Sequence, residues 1–192
     1  MAHPDTATST LQTFQETGAY LRGHFRLTSG LHSAEYLQCA KVLQFPNIAE
    51  RLGRQLAECM PKGEAVASPA LGGLIIGHEV ARAMGVRFIF TEREADGKMA
   101  LRRGFAVRPG ESFVVVEDVV TTGGSTREVI DLLEAAGARV LGAGSIIDRS
   151  GGSADVGVRR VALATLQPET WPAELCPLCQ QGLPVEKPGS RK

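Results

Sequence analysis

FVVVEDVVTTGGSTREVI, from Phe113 to Ile130, is the stretch that decides the fold. Phe113 to Val116 are four apolar residues in a row, the pattern of a strand buried on both faces. Glu117 and Asp118 follow at its carboxyl end, where open parallel sheets bind their ligands. Two adjacent carboxylates at the end of a core strand are costly unless something uses them; vicinal hydroxyls or a hydrated cation would serve. The next turn, Thr121-Thr122-Gly123-Gly124-Ser125-Thr126, has the make-up of an anion cradle. Its glycines let backbone N–H groups converge, its hydroxyls add donors, and the positive end of the following helix favours a phosphate. Ser125 and Glu128 also fit an S-x-x-E capping box. Neither a G-x-x-x-x-G-K-[ST] loop nor a G-x-G-x-x-G after a strand is present, so the pattern predicts a monophosphate with a sugar diol.

Outward from this stretch, strands and helices alternate. Upstream, AVAS (Ala65–Ser68) leads through PALGG into a helix, LIIGHEVARAM, ended by Gly85. VRFIF (Val86–Phe90) is a strand, and TEREADGKMALRRG (Thr91–Gly104) reads as a polar, charged loop. Downstream, STREVIDLLEAA is a helix closed by Gly137, and RVLGAGSIID and RRVALATL are further strands. Repeated strand–helix–strand units predict an α/β fold with a mostly parallel sheet covered by helices on both faces. Before this core, the Leu11–Leu21 region suggests an amphipathic helix, and His24–Val42 a strand, a turn and a strand. Pro46 suits a first helical residue, and Pro61 ends that helix near Met60. Five of the ten prolines fall between Pro168 and Pro188, the mark of an extended tail wrapped over the body.

With 192 residues and 43% hydrophobic content the chain can bury a full core. Lys+Arg and Asp+Glu balance at 21 each, which gives no field to draw in nucleic acid or an anionic membrane. No apolar run approaches the roughly 20 residues of a membrane span. The N-terminal MAHPDTATST lacks a secretory pattern, so a cytoplasmic protein is expected. Cys39, Cys59, Cys176 and Cys179 do not make a disulfide scaffold. Cys176-Pro-Leu-Cys179 has zinc-ligand spacing, but four ligands are needed and no second pair or His follows it. A packing role is therefore expected for it, and structural roles for His24, His32 and His78, with Trp171 anchoring the tail.

VVVEDVVTTGGST resembles the phosphoribosyl pyrophosphate (PRPP) signature of type I phosphoribosyltransferases. Four outer segments narrow the resemblance to the orotate phosphoribosyltransferase family: HFRLTSGLHSAEY to its N-terminal hood, SPALGG to its pyrophosphate loop, the basic loop with LRRGF to its mobile catalytic loop, and IIDRSGG to its orotate-carboxylate site. The resemblance implies a hood formed mainly by residues 10–45, a core over about 46–167 and a tail over 168–192. It implies transfer of the phosphoribosyl group from PRPP to orotate, with Mg²⁺ bound mainly through PRPP rather than by protein ligands. Glu117 and Asp118 would hold the ribose hydroxyls, with Asp118 also counted as catalytic. Thr121 to Ser125 (Thr122, Gly123 and Gly124 between) would hold the 5′-phosphate, with Thr126 beside them, and Val119 and Val120 would also belong to the PRPP site. Thr121 would also touch orotate, and Arg149 would pair with its carboxylate. Arg93 and Lys98 would reach the pyrophosphate in a neighbouring subunit's site, which implies a homodimer with shared active sites. Thr28 stands where many members carry a hood lysine, Glu94 where a lysine is common in a loop that here has no His, and Gly72 where some members carry a lysine; together these remove positive charge around the leaving group. Two rival readings are a purine phosphoribosyltransferase and a PRPP-sensing regulator that binds nucleic acid; the Arg149 position argues against the first and the neutral charge balance against the second.

Overall fold

The computed structural model describes residues 4–27 and 29–188; Thr28, one of the three departures above, lies outside them. In chain order the elements are α1 (Pro4–Glu16), β1 (Tyr20–Arg26), β2 (His32–Leu37), α2 (Cys39–Leu43), α3 (Pro46–Cys59), β3 (Ala65–Pro69) and α4 (Gly73–Met84). Then come β4 (Arg87–Arg93), β5 (Met99–Leu101), β6 (Ser112–Val120), α5 (Gly124–Ala135), β7 (Arg139–Asp148), β8 (Arg160–Thr165), β9 (Thr170–Trp171) and α6 (Pro177–Gln180).

The main sheet has the order β5-β4-β3-β6-β7-β8, parallel except for the antiparallel edge strand β5. The chain leaves β3 in one direction for β4 and returns on its other side as β6. The carboxyl ends of β3 and β6 are therefore the point where the strand order reverses, and a crevice opens there. Strand β6 is buried on both faces, as its composition predicts. Val114 and Val116 face a core shared with Leu52, Leu56, Ile76 and Leu163, whereas Phe113 and Val115 pack with Val129, Ile130 and Leu133 of α5. A smaller sheet, β1-β2-β9, lies at the N-terminal end of the chain and takes its third strand from the tail.

Local signals set most boundaries. Pro46 opens α3, and Gly85 ends α4 in the left-handed region at φ 72°. The first helix differs from expectation: it runs from Pro4 to Glu16, and Tyr20–Arg26 is a strand. Gly18, at φ 63°, ends the helix, while Thr10 and Thr13 hydroxyls donate back to carbonyls one turn earlier and so satisfy themselves inside it. The charged segment after Phe90 also differs. It is a hairpin rather than a plain loop, with Thr91, Glu92 and Arg93 paired to Leu101, Ala100 and Met99. The Arg103 guanidinium braces its base through two bonds to Glu92, of 2.7 and 2.8 Å.

At the opposite end of the sheet from the crevice, the buried Glu111 carboxylate accepts two bonds from Arg87 and two from Arg108. Arg87, and then Arg108, hold its pKa down from 4.5 to about 2 against the opposing effect of burial. The stability this contributes is present above about pH 4.5 and is lost as pH falls through about 2. Both arginines reach solvent, which weakens the pairs, so Glu111→Gln should cost about 1–3 kcal/mol. Denaturant melts at pH 7 should show that loss, with kinetics at permissive temperature unaltered.

Candidate active site

Glu117 and Asp118 sit where β6 reaches the crevice. Burial pushes the Glu117 carboxyl up to about 7, opposed by the Thr126 hydroxyl that donates to it and reinforced by the neighbouring Asp118 charge. Burial also raises Asp118, against the Val119 N–H that donates to its Oδ1 at 2.9 Å. Two acids whose charged forms burial disfavours, side by side at a crevice, point to a ligand that supplies hydroxyl donors. Gly72, in the loop after β3, stands against Asp118: a Cβ there would lie 2.6 Å from its Oδ1. A lysine at this position would displace the carboxylate, so the departure at Gly72 is coupled to where Asp118 sits.

Gly123 is the N-cap of α5 at φ 82°, a conformation that favours glycine, and an added Cβ would strike Val156. Gly123 has no side chain to cap α5, and the Thr122 hydroxyl accepts from the first helical N–H, that of Gly124, at 3.4 Å. The capping box expected from Ser125 and Glu128 does not form, because Ser125 lies one residue inside the helix. Glu128 instead pairs with Arg93 at 2.8 and 3.1 Å. A charge-assisted fork outcompetes a neutral backbone N–H for that carboxylate.

Beside the turn, a cavity of about 520 Å³ joins the two sheets. Asp118, Val119, Thr121, Thr122 and Arg149 line it from the core, and Ser29, Tyr36 and Gln38 from the small sheet side. Arg149 is the decisive residue. Burial pulls its guanidinium below the usual arginine range, while Tyr36 and Glu35 favour its charge, and its buried Nε has no hydrogen-bond partner among the described residues. A half-buried guanidinium in a cavity wall suits a planar carboxylate. Its backbone is fixed, with its N–H donating to the Val120 carbonyl at 2.8 Å. Neighbouring Asp148 is held by Arg160 at 2.9 Å and by the Ser150 hydroxyl at 2.6 Å.

Residues 41–171 match the phosphoribosyl transferase domain family. The orotate phosphoribosyltransferase of Heliobacterium modesticaldum is 55% identical over 185 residues, covering 94% of this chain and 96% of that protein. The chain belongs to the orotate phosphoribosyltransferase family. The family's member from Desulforamulus reducens is 53% identical over 181 residues, covering 93% of this chain and 94% of that protein. A crystal structure of orotate phosphoribosyltransferase from Aeropyrum pernix superposes with a TM-score of 0.69 at 29% identity, over 81% of this chain and 93% of that one. An adenine phosphoribosyltransferase from Thermoanaerobacter pseudethanolicus has a TM-score of 0.63 at 15% identity, over 80% of this chain and 99% of that one, and so shares the fold alone.

Within this family member, the residues singled out from sequence fall into three places. Asp118, Val119, Thr121, Thr122 and Arg149 share the cavity, with Glu117 behind Asp118 and Gly123, Gly124 and Ser125 at the start of α5. Val120 turns its side chain into the core. Arg93 and Lys98 do not join them: they line a separate groove with Asp96, Glu128 and Asp131 on the outer side of α5. Lys98 is 83% exposed and pairs only loosely with Asp96, at 3.3 Å. Glu94, another departure, is exposed in the same hairpin turn. Gln38, Ser150, Gln167 and Thr170 also line the cavity, though none was singled out from sequence. They sit on loops and short strands from distant parts of the chain, without a local pattern to mark them.

Proposed function

We propose that orotate and PRPP meet in the cavity between Asp118 and Arg149, where the chain forms orotidine 5′-phosphate and releases pyrophosphate. The single observation that carries this placement is the Arg149 guanidinium in the wall of that cavity, which Asp118, Thr121 and Thr122 also line. The guanidinium binds the orotate carboxylate and aims N1 at the anomeric carbon of PRPP. The Thr121–Ser125 turn holds the 5′-phosphate at the positive end of α5. Glu117 and Asp118 accept the ribose hydroxyls, which fixes the ring against the incoming base. As the bond to pyrophosphate breaks, positive charge grows on the ribose and negative charge on the leaving group. The adjacent carboxylates favour the first, and basic side chains favour the second.

Mg²⁺ belongs to the same reading. Asp118 offers a carboxylate at the cavity wall, and the described residues form no cage of several carboxylates there. Such a donor set fits a hydrated ion bound chiefly through substrate oxygens. When bound, it would neutralise pyrophosphate charge. Reaction in the cytoplasm, as a step of pyrimidine nucleotide synthesis, completes the assignment; among the described residues no helix is long and apolar enough to cross a membrane.

Arg93 and Lys98 act on the pyrophosphate of a second subunit. Support comes from position: Lys98 is 83% exposed on the hairpin, and both residues line a groove separate from their own chain's cavity, although the Arg93 charge reaches Glu117. Lys98→Ala should slow turnover about 10²-fold, the usual loss for one transition-state donor. Mixing it with an Arg149→Ala variant and allowing subunits to exchange should restore activity, because each mixed dimer keeps one intact site. Unrestored activity in exchanged dimers would place the two residues in the same subunit's site. The reaction itself is tested by the fall in orotate absorbance on adding PRPP and Mg²⁺. Turnover of adenine or hypoxanthine in place of orotate would favour the purine reading, and tight RNA or DNA binding without turnover would favour a regulator.

A further inference from the structure

The tail cysteines have the partners that the local sequence withheld. His24 of β1, His32 of β2, and Cys176 and Cys179 of the tail bring one ligand atom each to within 4.8 Å of one another. The local sequence leaves this cysteine pair two ligands short, and the fold brings two imidazoles beside it from about 150 residues upstream. The hairpin places the imidazoles together, since His32 stands opposite Arg26, two residues on from His24, and the rings are 4.8 Å apart between centroids.

We propose that His24, His32, Cys176 and Cys179 form a closed, four-coordinate zinc site that fastens the C-terminal tail to the β1-β2-β9 sheet. Nothing in this assignment depends on orotate transfer, and its failure would leave that reading untouched.

Geometry, donor chemistry and burial all support it. Bond lengths of about 2.0–2.3 Å around tetrahedral zinc put neighbouring ligand atoms about 3.3–3.8 Å apart. The Cys179 Sγ lies 3.3 Å from His32 Nδ1 and 3.6 Å from His24 Nε2, and Cys176 Sγ lies 3.5 Å from His24 Nε2. The two ring nitrogens are closer, at 2.8 Å, and need to part by about half an ångström around an ion. The tautomer of His24 is set by its other nitrogen: Nδ1 lies 2.8 Å from the Leu183 carbonyl, which can only accept, so Nδ1 carries the proton. The Nε2 lone pair is then left facing the cluster, held by the outer hydrogen bond that zinc-binding histidines typically make. Two thiolates and two imidazoles are the donor set of structural zinc, and four protein ligands leave no open position for catalysis. His24, His32 and Cys176 are buried, so the site is shielded on all but the Cys179 side.

The consequence for the fold follows from what these elements touch. Besides the cluster, the tail is joined to β1 by two backbone bonds, Arg26 N–H to the Glu186 carbonyl and Glu186 N–H to the His24 carbonyl. Strand β2 carries both His32 and Tyr36, and β9 carries Thr170, so the strands tied by the cluster also roof the substrate cavity.

The full chain, purified under reducing conditions and dialysed against a weak chelator, should retain about one zinc ion by mass spectrometric metal analysis. Exchange with Co²⁺ should produce the visible bands of a tetrahedral ion together with thiolate charge transfer in the near ultraviolet. Cys176→Ser/Cys179→Ser should lose the zinc, whereas Cys59→Ser should keep it. Removing the metal with a strong chelator should lower Tm, and adding Zn²⁺ back should restore it. If the double variant does not fold, the wild-type cobalt spectrum decides. Reduced, folded wild-type protein that takes up neither Zn²⁺ nor Co²⁺ would overturn the proposal, as would zinc retained in full by the folded double variant.

Discussion

Arg149→Ala is expected to lower kcat/KM for orotate by about 10²–10³-fold, the cost of about 2–5 kcal/mol for stripping one partner from a buried, hydrogen-bonded charge pair. Among the described residues the Arg149 Nε has no hydrogen-bond partner, and Arg149 lines the cavity; the proposed function makes the orotate carboxylate the partner of its guanidinium. Two further readouts separate this from general damage. KM for PRPP should change little, because the phosphate turn and the paired acids are untouched. Discrimination between orotate and uracil, which lacks the carboxylate, should collapse in the same variant. Arg149→Lys should recover only a small part of the loss, since an ammonium cannot present two parallel N–H groups. Equal loss toward orotate and uracil would mean that Arg149 serves the fold rather than the base.

Glu117→Gln/Asp118→Asn is expected to weaken PRPP binding by about 10³-fold, because hydrogen bonds to charged groups contribute about 1.5–3 kcal/mol each and the variant forfeits more than one. The same variant should melt at a higher temperature without ligand. Burial raises the pKa of both carboxyls, so neutral amides remove a desolvation penalty from the folded state. The pH dependence follows from Glu117, which keeps its proton to about pH 7 when folded and loses it near 4.5 when unfolded. The folded form therefore binds more protons between those values, and this group's contribution to stability falls as pH rises from 4.5 to about 7. In the proposed function the ribose hydroxyls donate to the ionised carboxylate, so binding should release a proton below about pH 7. Calorimetry in two buffers of different ionisation enthalpy reads that proton directly, and it should vanish in Glu117→Gln. A proton count unchanged by that substitution would assign the release to the phosphates of PRPP.

Sequence patterns revealed the site where short-range physics dominates. Phe113–Val116 could be read as a doubly buried strand because apolar residues on both faces leave no alternative, and the acids and glycines beyond it stand in one unbroken run. Gly85 marked a helix end because only a left-handed residue closes the turn there. Three features stayed hidden for stated reasons. The Thr91–Leu101 hairpin is an edge pairing of polar residues, and its hydrophobic alternation is too weak to distinguish it from a loop. Glu128 carries the spacing of a cap, yet Arg93 claims it from the end of β4, distant in sequence. The His24–His32–Cys176–Cys179 cluster unites both ends of the chain, and no window of sequence spans it.

The account rests on a sugar phosphate and a pyrimidine carboxylate occupying one crevice. A crystal structure of the chain with orotidine 5′-phosphate tests that directly. The phosphate should lie on the Thr121–Ser125 turn, the ribose hydroxyls on Glu117 and Asp118, and the carboxylate on Arg149. A ligand bound away from the carboxyl end of β6, or with its carboxylate turned from Arg149, would contradict it.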